Sequence, residues 1–296
     1  MVPALFLYLA LANQVQDLIA HNNLAAAERV VRASQRQAGS TPEFAAALSW
    51  LARGAFLARQ LDRADAYAVE TRKLADQLLR THKLDADSWL PTAVGAAIEV
   101  HAQVLAARGE RGDAVDFLRE QLALFRTTSI GERIQKNLNL LSLEGKPAPA
   151  LDEADWLGPK PPTLAALRGH PVLLFFWAHW CSDCKAEVPI LAQIEKLYGP
   201  KGLVLLAPTR FYGYVGQGVD AAPPVEKKYI EAVRRQYYAA LGDVPAPLSN
   251  ANFLKYGAST TPTLVLIDRS GVVRLYHPGA LSDPDLAARI QAVLQK

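Results

Sequence analysis

Cysteine is scarce in this chain: 296 residues carry two. A single pair cannot staple a protein of this size into a disulfide framework, so the two must be read for where they stand. No run of lysine or arginine is long enough to track a phosphate backbone. The 32 basic and 29 acidic residues are dispersed and leave a net charge of +3, which does not point to nucleic acid as a partner. The apolar amino terminus, MVPALFLYLALANQ, holds about eleven apolar residues where roughly 20 are needed to cross a bilayer. Ending in Ala10-Leu11-Ala12, it fits the core and small-residue cleavage site of a signal peptide over residues 1–12, without the basic segment that usually precedes one. The alternative is a first apolar helix of the mature protein.

What is present describes a soluble, globular chain. Half of the residues are hydrophobic and 21% are charged, and the length suits two domains better than one. Residues 13–143 carry helical spacing and almost no strand-like alternation. Phe44, Leu48, Leu51 and Ala55 form one stripe, and Val115, Leu118, Leu122 and Phe125 form another. Short polar turns, NNLAAAERV, RQLDRADAY and ARGERGDAVDF, join helix pairs into hairpins similar to tetratricopeptide units. The turns recur at about 40 and then about 48 residues, longer than the roughly 34 of that repeat. An all-α helical-hairpin domain is predicted.

The prolines at 147, 149, 159, 161 and 162 then remove backbone donors and stop helix formation. From residue 144 to 296 the pattern becomes α/β. PVLLFFW (171–177), GLVLLAP (202–208), TLVLID (263–268) and VVRLYH (272–277) are short apolar runs suited to central strands covered on both faces. A helix over 181–198 links the first two as a β-α-β unit, and DRSGVV supplies a hairpin turn between the last two. An insertion near 209–241 interrupts the scheme. Its glycines, aromatics and prolines (209–225) read as a surface segment, followed by a helix over 226–241.

Both cysteines lie in WCSDC, where strand 171–177 hands over to helix. Unsatisfied N–H groups and the positive end of the helix dipole favour a thiolate at that point. C-x-x-C placement of this sort lowers a cysteine pKa from about 8.5 to between about 3.5 and 7.5. Cys181 is the expected attacking sulfur. Cys184, one turn on, is placed to attack the mixed disulfide and leave an internal bridge. Zinc and an inert buried pair are the alternatives; the chain has no second cysteine pair and no H-x(3–5)-H partner, so a zinc ligand set is incomplete. No metal is expected.

Residues 145–296 resemble the thioredoxin superfamily, specifically its TlpA/ResA-type extracytoplasmic thiol-disulfide oxidoreductases. GKPAPALDEADWLGPKPPTLAALRGHPVLLFFWAHWCSDCKAEVP is similar to the family's opening hairpin, first central strand and W-C-x-x-C helix in order, and STTPTLVLIDRSGVVRLYHPG to its second signature. The resemblance implies a thioredoxin-like domain with a central mixed sheet, Cys181 as nucleophile, Cys184 as resolving thiol and Trp180 flanking them. It implies a cis-proline at Pro262, with the backbone of Thr261 turned outward to pair with an extended substrate; a trans-proline opening a strand is the alternative. Glu187 matches a glutamate of the ResA-type branch that could carry protons to or from the buried sulfur; taken alone it would be a solvated helix residue. Pro189 implies a helix kink.

Ser182-Asp183 departs from the Gly-Pro or Glu-Pro frequent between the cysteines of relatives. A carboxylate in the first turn favours the helix but opposes the Cys181 thiolate, two effects of opposite sign. His179 either tunes the thiol or is an exposed bystander. Phe211, Tyr212 and Tyr214 either roof the disulfide or pack on the surface. The resemblance further implies a periplasmic or otherwise extracytoplasmic protein-disulfide reductase, with protein dithiols and disulfides as partners, a membrane thiol as electron donor and no cofactor beyond its own disulfide. The competing readings are a helical-repeat scaffold that grips a protein or peptide and carries an accessory thioredoxin-like domain, and a thiol peroxidase.

Overall fold

Two of the helices in the first half begin at a residue whose side chain caps them. The structure, a computed structural model, describes residues 10–295. The expected signal peptide falls, up to residue 9, outside the described residues; Leu11 and Ala12 open the first helix. The chain divides after Asn137. The first unit is built from α1 (Leu11–Ala20), α2 (Leu24–Ala38), α3 (Pro42–Leu57), α4 (Leu61–Leu78), α5 (Trp89–Ala107) and α6 (Arg111–Phe125), and α7 (Gly131–Ser142) runs across the division. Side chains of Asn23 and Thr41 accept the Ala26 and Phe44 N–H groups and cap α2 and α3.

α3 and α5 form the centre of this unit. Phe44, Leu48, Leu51 and Ala55 are all buried, the face the stripe predicts. In the later stripe Leu118 and Leu122 are buried, while Val115 and Phe125 are half-buried. Gly54 allows α1 to lie close on α3, since a Cβ there would stand 2.3 Å from Ile19 Cδ1. α5 is long and apolar enough to cross a membrane, yet 56% of that window is buried within the protein, as in a core helix. Arg32 donates to both oxygens of Glu70 at 2.8 and 3.0 Å, clamping α2 to α4.

The second unit is organised on a four-stranded sheet. β1 (Trp156–Leu157), β2 (Val172–Phe176), α8 (Ser182–Tyr198), β3 (Val204–Leu206), β4 (Tyr214–Val215), β5 (Val219–Asp220), α9 (Pro223–Tyr237), β6 (Ala246–Pro247), α10 (Asn250–Tyr256), β7 (Thr263–Ile267), β8 (Val273–Pro278) and α11 (Asp283–Leu294) follow in order. The sheet runs β3-β2-β7-β8, with β2 parallel to β3 and antiparallel to β7. This is the expected β-α-β unit followed by a hairpin, and the sheet is mixed. Every residue of β2 and β7 is buried, because both faces are covered. Leu173, Phe175 and Trp177 join one core with residues of α8, α9 and α11. Val172, Leu174 and Phe176 join the other with Phe253 and Tyr256 of α10.

Two expectations need correction. The segment after residue 144 does not open as a hairpin. It runs along the edge of β8, through Gly145 N–H to Val273 O and Ala148 N–H to Gly271 O, each 2.9 Å, and β1 then pairs with the distant β6. Pro147 and Pro149 leave too few donors for a two-sided ladder of their own. The insertion's first segment, 209–225, read as surface, is partly core: Thr209 is buried and Phe211 and Tyr212 pack half-buried against the first of those two cores, to which the stretch that follows adds Ile230, Val233, Tyr238 and Leu241. Its helix starts at Pro223, earlier than expected, because prolines in a first helical turn forfeit no helix bond.

Candidate functional site

β2 ends at Phe176, and the turn 177–181 delivers the chain to α8. Trp177 pins this turn: its backbone N–H reaches Pro208 O at 3.1 Å, its indole N–H reaches Ala207 O at 2.9 Å, and its carbonyl accepts the Thr209 hydroxyl at 2.9 Å. The turn therefore presents Trp180 and Cys181 from a rigid base. Trp180 is 51% exposed, Cys181 3% and Cys184 0%.

Cys181 occupies the N-cap of α8 and is joined to Cys184 in a disulfide. Its Sγ accepts the Cys184 N–H at 3.0 Å, so the helix's first orphan donors already point at the sulfur that would carry negative charge. The same Sγ lies 3.4 Å from the carbonyl oxygen of Thr261, and the Thr261–Pro262 peptide is cis. The hydroxyl of Thr261 is buried without a hydrogen-bond partner among the described residues. Cys181, Cys184, Trp180, Thr261 and Pro262 thus meet at one place, although about 80 residues of sequence separate the two loops.

Glu187, on α8, is 3% exposed, so it is not the solvated helix residue that its sequence alone suggests. Burial pushes its carboxyl above the usual range; the Leu281 N–H, 3.4 Å away, and the nearby His277 work in the opposite direction. A carboxyl that binds its proton more tightly in the native state stabilises the fold fully below its ordinary pKa of 4.5. That contribution is lost as pH rises through the folded value. Glu187→Gln keeps an acceptor for Leu281 and abolishes the buried charge. It is therefore expected to raise the thermal midpoint relative to the native protein near pH 8, with the difference closing toward pH 4; an equal shift at both pH values would contradict this.

His179 is not exposed: its accessibility is 2%, and it is ringed edge-on by Tyr212, Tyr214 and Tyr229, with centroids at 5.4, 5.2 and 5.4 Å. Burial lowers its pKa, opposed by the charge of Glu226 and reinforced by Lys185. Glu226, 1% exposed, accepts the N–H groups of Tyr212 and Gly213 at 2.5 and 2.9 Å. Tyr212 also stands edge-on to Trp180 at 5.6 Å. Tyr212 and Tyr214 accordingly pack on His179 and Trp180, the residues that precede Cys181, with Phe211 half-buried against the core. The sequence gives no sign of Glu226, one acidic residue in a helix's first turns. Among the described residues no group of three or more His, Cys, Asp or Glu is gathered to hold a metal.

A mixed sheet that feeds a cysteine pair into a helix start, opposite a cis-proline loop, is a thioredoxin-like fold built for thiol–disulfide exchange. Comparison with known proteins agrees. The Redoxin family matches residues 143–290, half of the chain. The thiol:disulfide interchange protein DsbE of Pseudomonas fluorescens biotype C is 31% identical over 156 residues, covering 51% of this chain and 78% of that protein. The thiol-disulfide oxidoreductase ResA of Geobacillus thermodenitrificans is 26% identical over 133 residues, 44% of this chain and 67% of its own. A solved DsbE-type structure from Chlorobium tepidum is 26% identical and covers 51% of this chain and 97% of its own, with a TM-score of 0.39. The chain belongs to the Redoxin family and is a thiol-disulfide oxidoreductase.

Proposed function

We propose that this protein is an extracytoplasmic protein-disulfide reductase whose catalytic residues are Cys181, Cys184 and Glu187. The observation that carries this reading is the Cys181 sulfur, capped by the Cys184 N–H and facing the Thr261 carbonyl. In the reduced enzyme the Cys181 thiolate attacks one sulfur of a substrate disulfide, forming a mixed disulfide and expelling the other substrate sulfur as a thiolate that takes a proton. Cys184 gives its proton to the Glu187 carboxylate and attacks the Cys181 sulfur. The second substrate thiol leaves, and the enzyme ends with the Cys181–Cys184 disulfide seen in the structure.

Trp180, Thr261 and Pro262 form the substrate-binding surface. An extended substrate strand pairs with the Thr261 backbone, and the half-exposed Trp180 supplies an apolar flank. The Cys181–Cys184 dithiol supplies both electrons and becomes the internal disulfide, so the step needs no further cofactor, and a membrane thiol carrier returns the protein to its dithiol form. Similarity to DsbE and ResA proteins supports the extracytoplasmic placement. Titration against a glutathione couple tests the direction. A potential well below the roughly −180 mV of protein disulfide isomerase is expected, and one near DsbA's value of about −120 mV would reject the reductase reading.

A second role for the helical unit, gripping a protein or peptide, is favoured by one feature. A cavity of about 530 Å³ is lined by residues of α4, α5 and α6, among them Val69, Arg72, Ile98, His101 and Phe117.

A further inference from the structure

A carboxylate removed from water has to be held by donors that replace the water it lost. Glu226 is so removed, and its donors are two consecutive backbone N–H groups, Tyr212 and Gly213, one to each oxygen. Its place in the first turns of α9 adds the positive end of that helix. The carboxylate is therefore a fixed post to which the insertion's backbone is tied.

The tie has a direction. Gly213 adopts φ +84°, a left-handed conformation open to glycine, and its carbonyl accepts the Ala221 N–H at 2.9 Å, closing a loop around β4 and β5. Tyr212, held by its N–H, turns its ring edge-on toward Trp180 at 5.6 Å. Arg210 lies over the rings of Tyr212 and Phe253, 5.0 and 4.7 Å from their centroids. His179 fills the space beneath, between Tyr212 and Tyr214 of the loop and Tyr229 of α9. Its Nε2 stands 3.6 Å from the Glu226 carboxylate. One buried side chain of the active-site turn is thus enclosed by the insertion, and one exposed side chain, Trp180, is extended by it.

We propose that Glu226 is a positioning residue that fixes Tyr212 against Trp180, so that the two rings form a preformed ledge for the polypeptide flanking a substrate disulfide. This rests on the exchange reading of the Cys181–Cys184 site and adds the residues that set its selectivity: the ledge favours the polypeptide disulfides of that reading over small-molecule disulfides. The ledge lies to one side of the sulfur, where a protein substrate has chain to place and glutathione disulfide has little. Rigid aromatic surface is suited to that contact, since it loses little conformational freedom on binding.

The test compares kcat/KM for insulin with kcat/KM for glutathione disulfide, using dithiothreitol as the electron source. Glu226→Gln removes the charge and replaces one acceptor oxygen with an N–H donor facing a backbone donor. The insulin-to-glutathione ratio is expected to fall at least about fivefold, mainly through KM for insulin, and trypsin should begin to cleave after Arg210. Tyr212→Ala removes the ring and leaves the carboxylate in place; it should lower the ratio similarly and decides the matter alone if Glu226→Gln does not fold. A ratio within twofold of the native value in either folded variant, or an equal loss on both substrates, would overturn the proposal. Turnover surviving in Cys181→Ser would instead overturn the exchange reading beneath it.

Discussion

Cys181→Ser is expected to reduce disulfide turnover by at least about 1,000-fold, as removal of the nucleophile does in other covalent mechanisms. A serine hydroxyl at the same N-cap can accept the Cys184 N–H and preserve α8, so the loss should come without unfolding. Cys184→Ser should behave differently. The first attack remains possible but no neighbouring thiol can resolve it, and the mixed disulfide on Cys181 should accumulate. Intact-mass measurement after incubation with a disulfide peptide distinguishes the two, with an adduct on Cys184→Ser and none on Cys181→Ser. An adduct on Cys181→Ser would mean that Cys184, with 0% exposure, is the attacking sulfur, reversing the assigned roles. The same Cys184→Ser protein, expressed in cells, captures the natural substrates.

The largest expected effect on stability lies at Phe176. Its ring is fully buried and meets Phe253 edge-on at 5.3 Å and Tyr256 at 5.1 Å. It stands opposite Thr263 in the central pair of strands. Phe176→Ala leaves a cavity that α10 and the strands cannot fill without moving the sheet. A cost of about 3–5 kcal/mol is expected, which corresponds to a fall of roughly 6–20 °C in the midpoint of a domain this size. Circular dichroism on heating measures it. A loss under about 1 kcal/mol would show that this face of the sheet is not close-packed.

The parts of the molecule that could be read from the sequence are those where local pattern and tertiary demand coincide. The strands of 171–177 and 263–268 are uniformly apolar because both of their faces are covered, and WCSDC states its chemistry through spacing alone. Leu191, Ile194 and Tyr198 face the core as the helical period requires. Partners set by distant pairing left no such trace. β1 and β6 are two residues each and meet across about 90 residues of chain. His179 was ambiguous because its surroundings, Tyr212, Tyr214 and Tyr229, come from an insertion whose path the sequence does not specify. Glu226 was invisible for the same reason: a carboxylate in a first helical turn looks solvated until the loop it holds is seen to cover it.

Concealment of the second sulfur also governs how the enzyme can be discharged. With Cys184 fully buried in the first turn of α8 and Cys181 only 3% exposed at its N-cap, an oxidant in bulk solution meets at most one sulfur. Electrons stored in the dithiol are therefore insulated from stray small molecules. On the proposed reductase reading, the expected clients are loosened or unfolded chains, which can lay a strand across the opening, rather than finished globular ones.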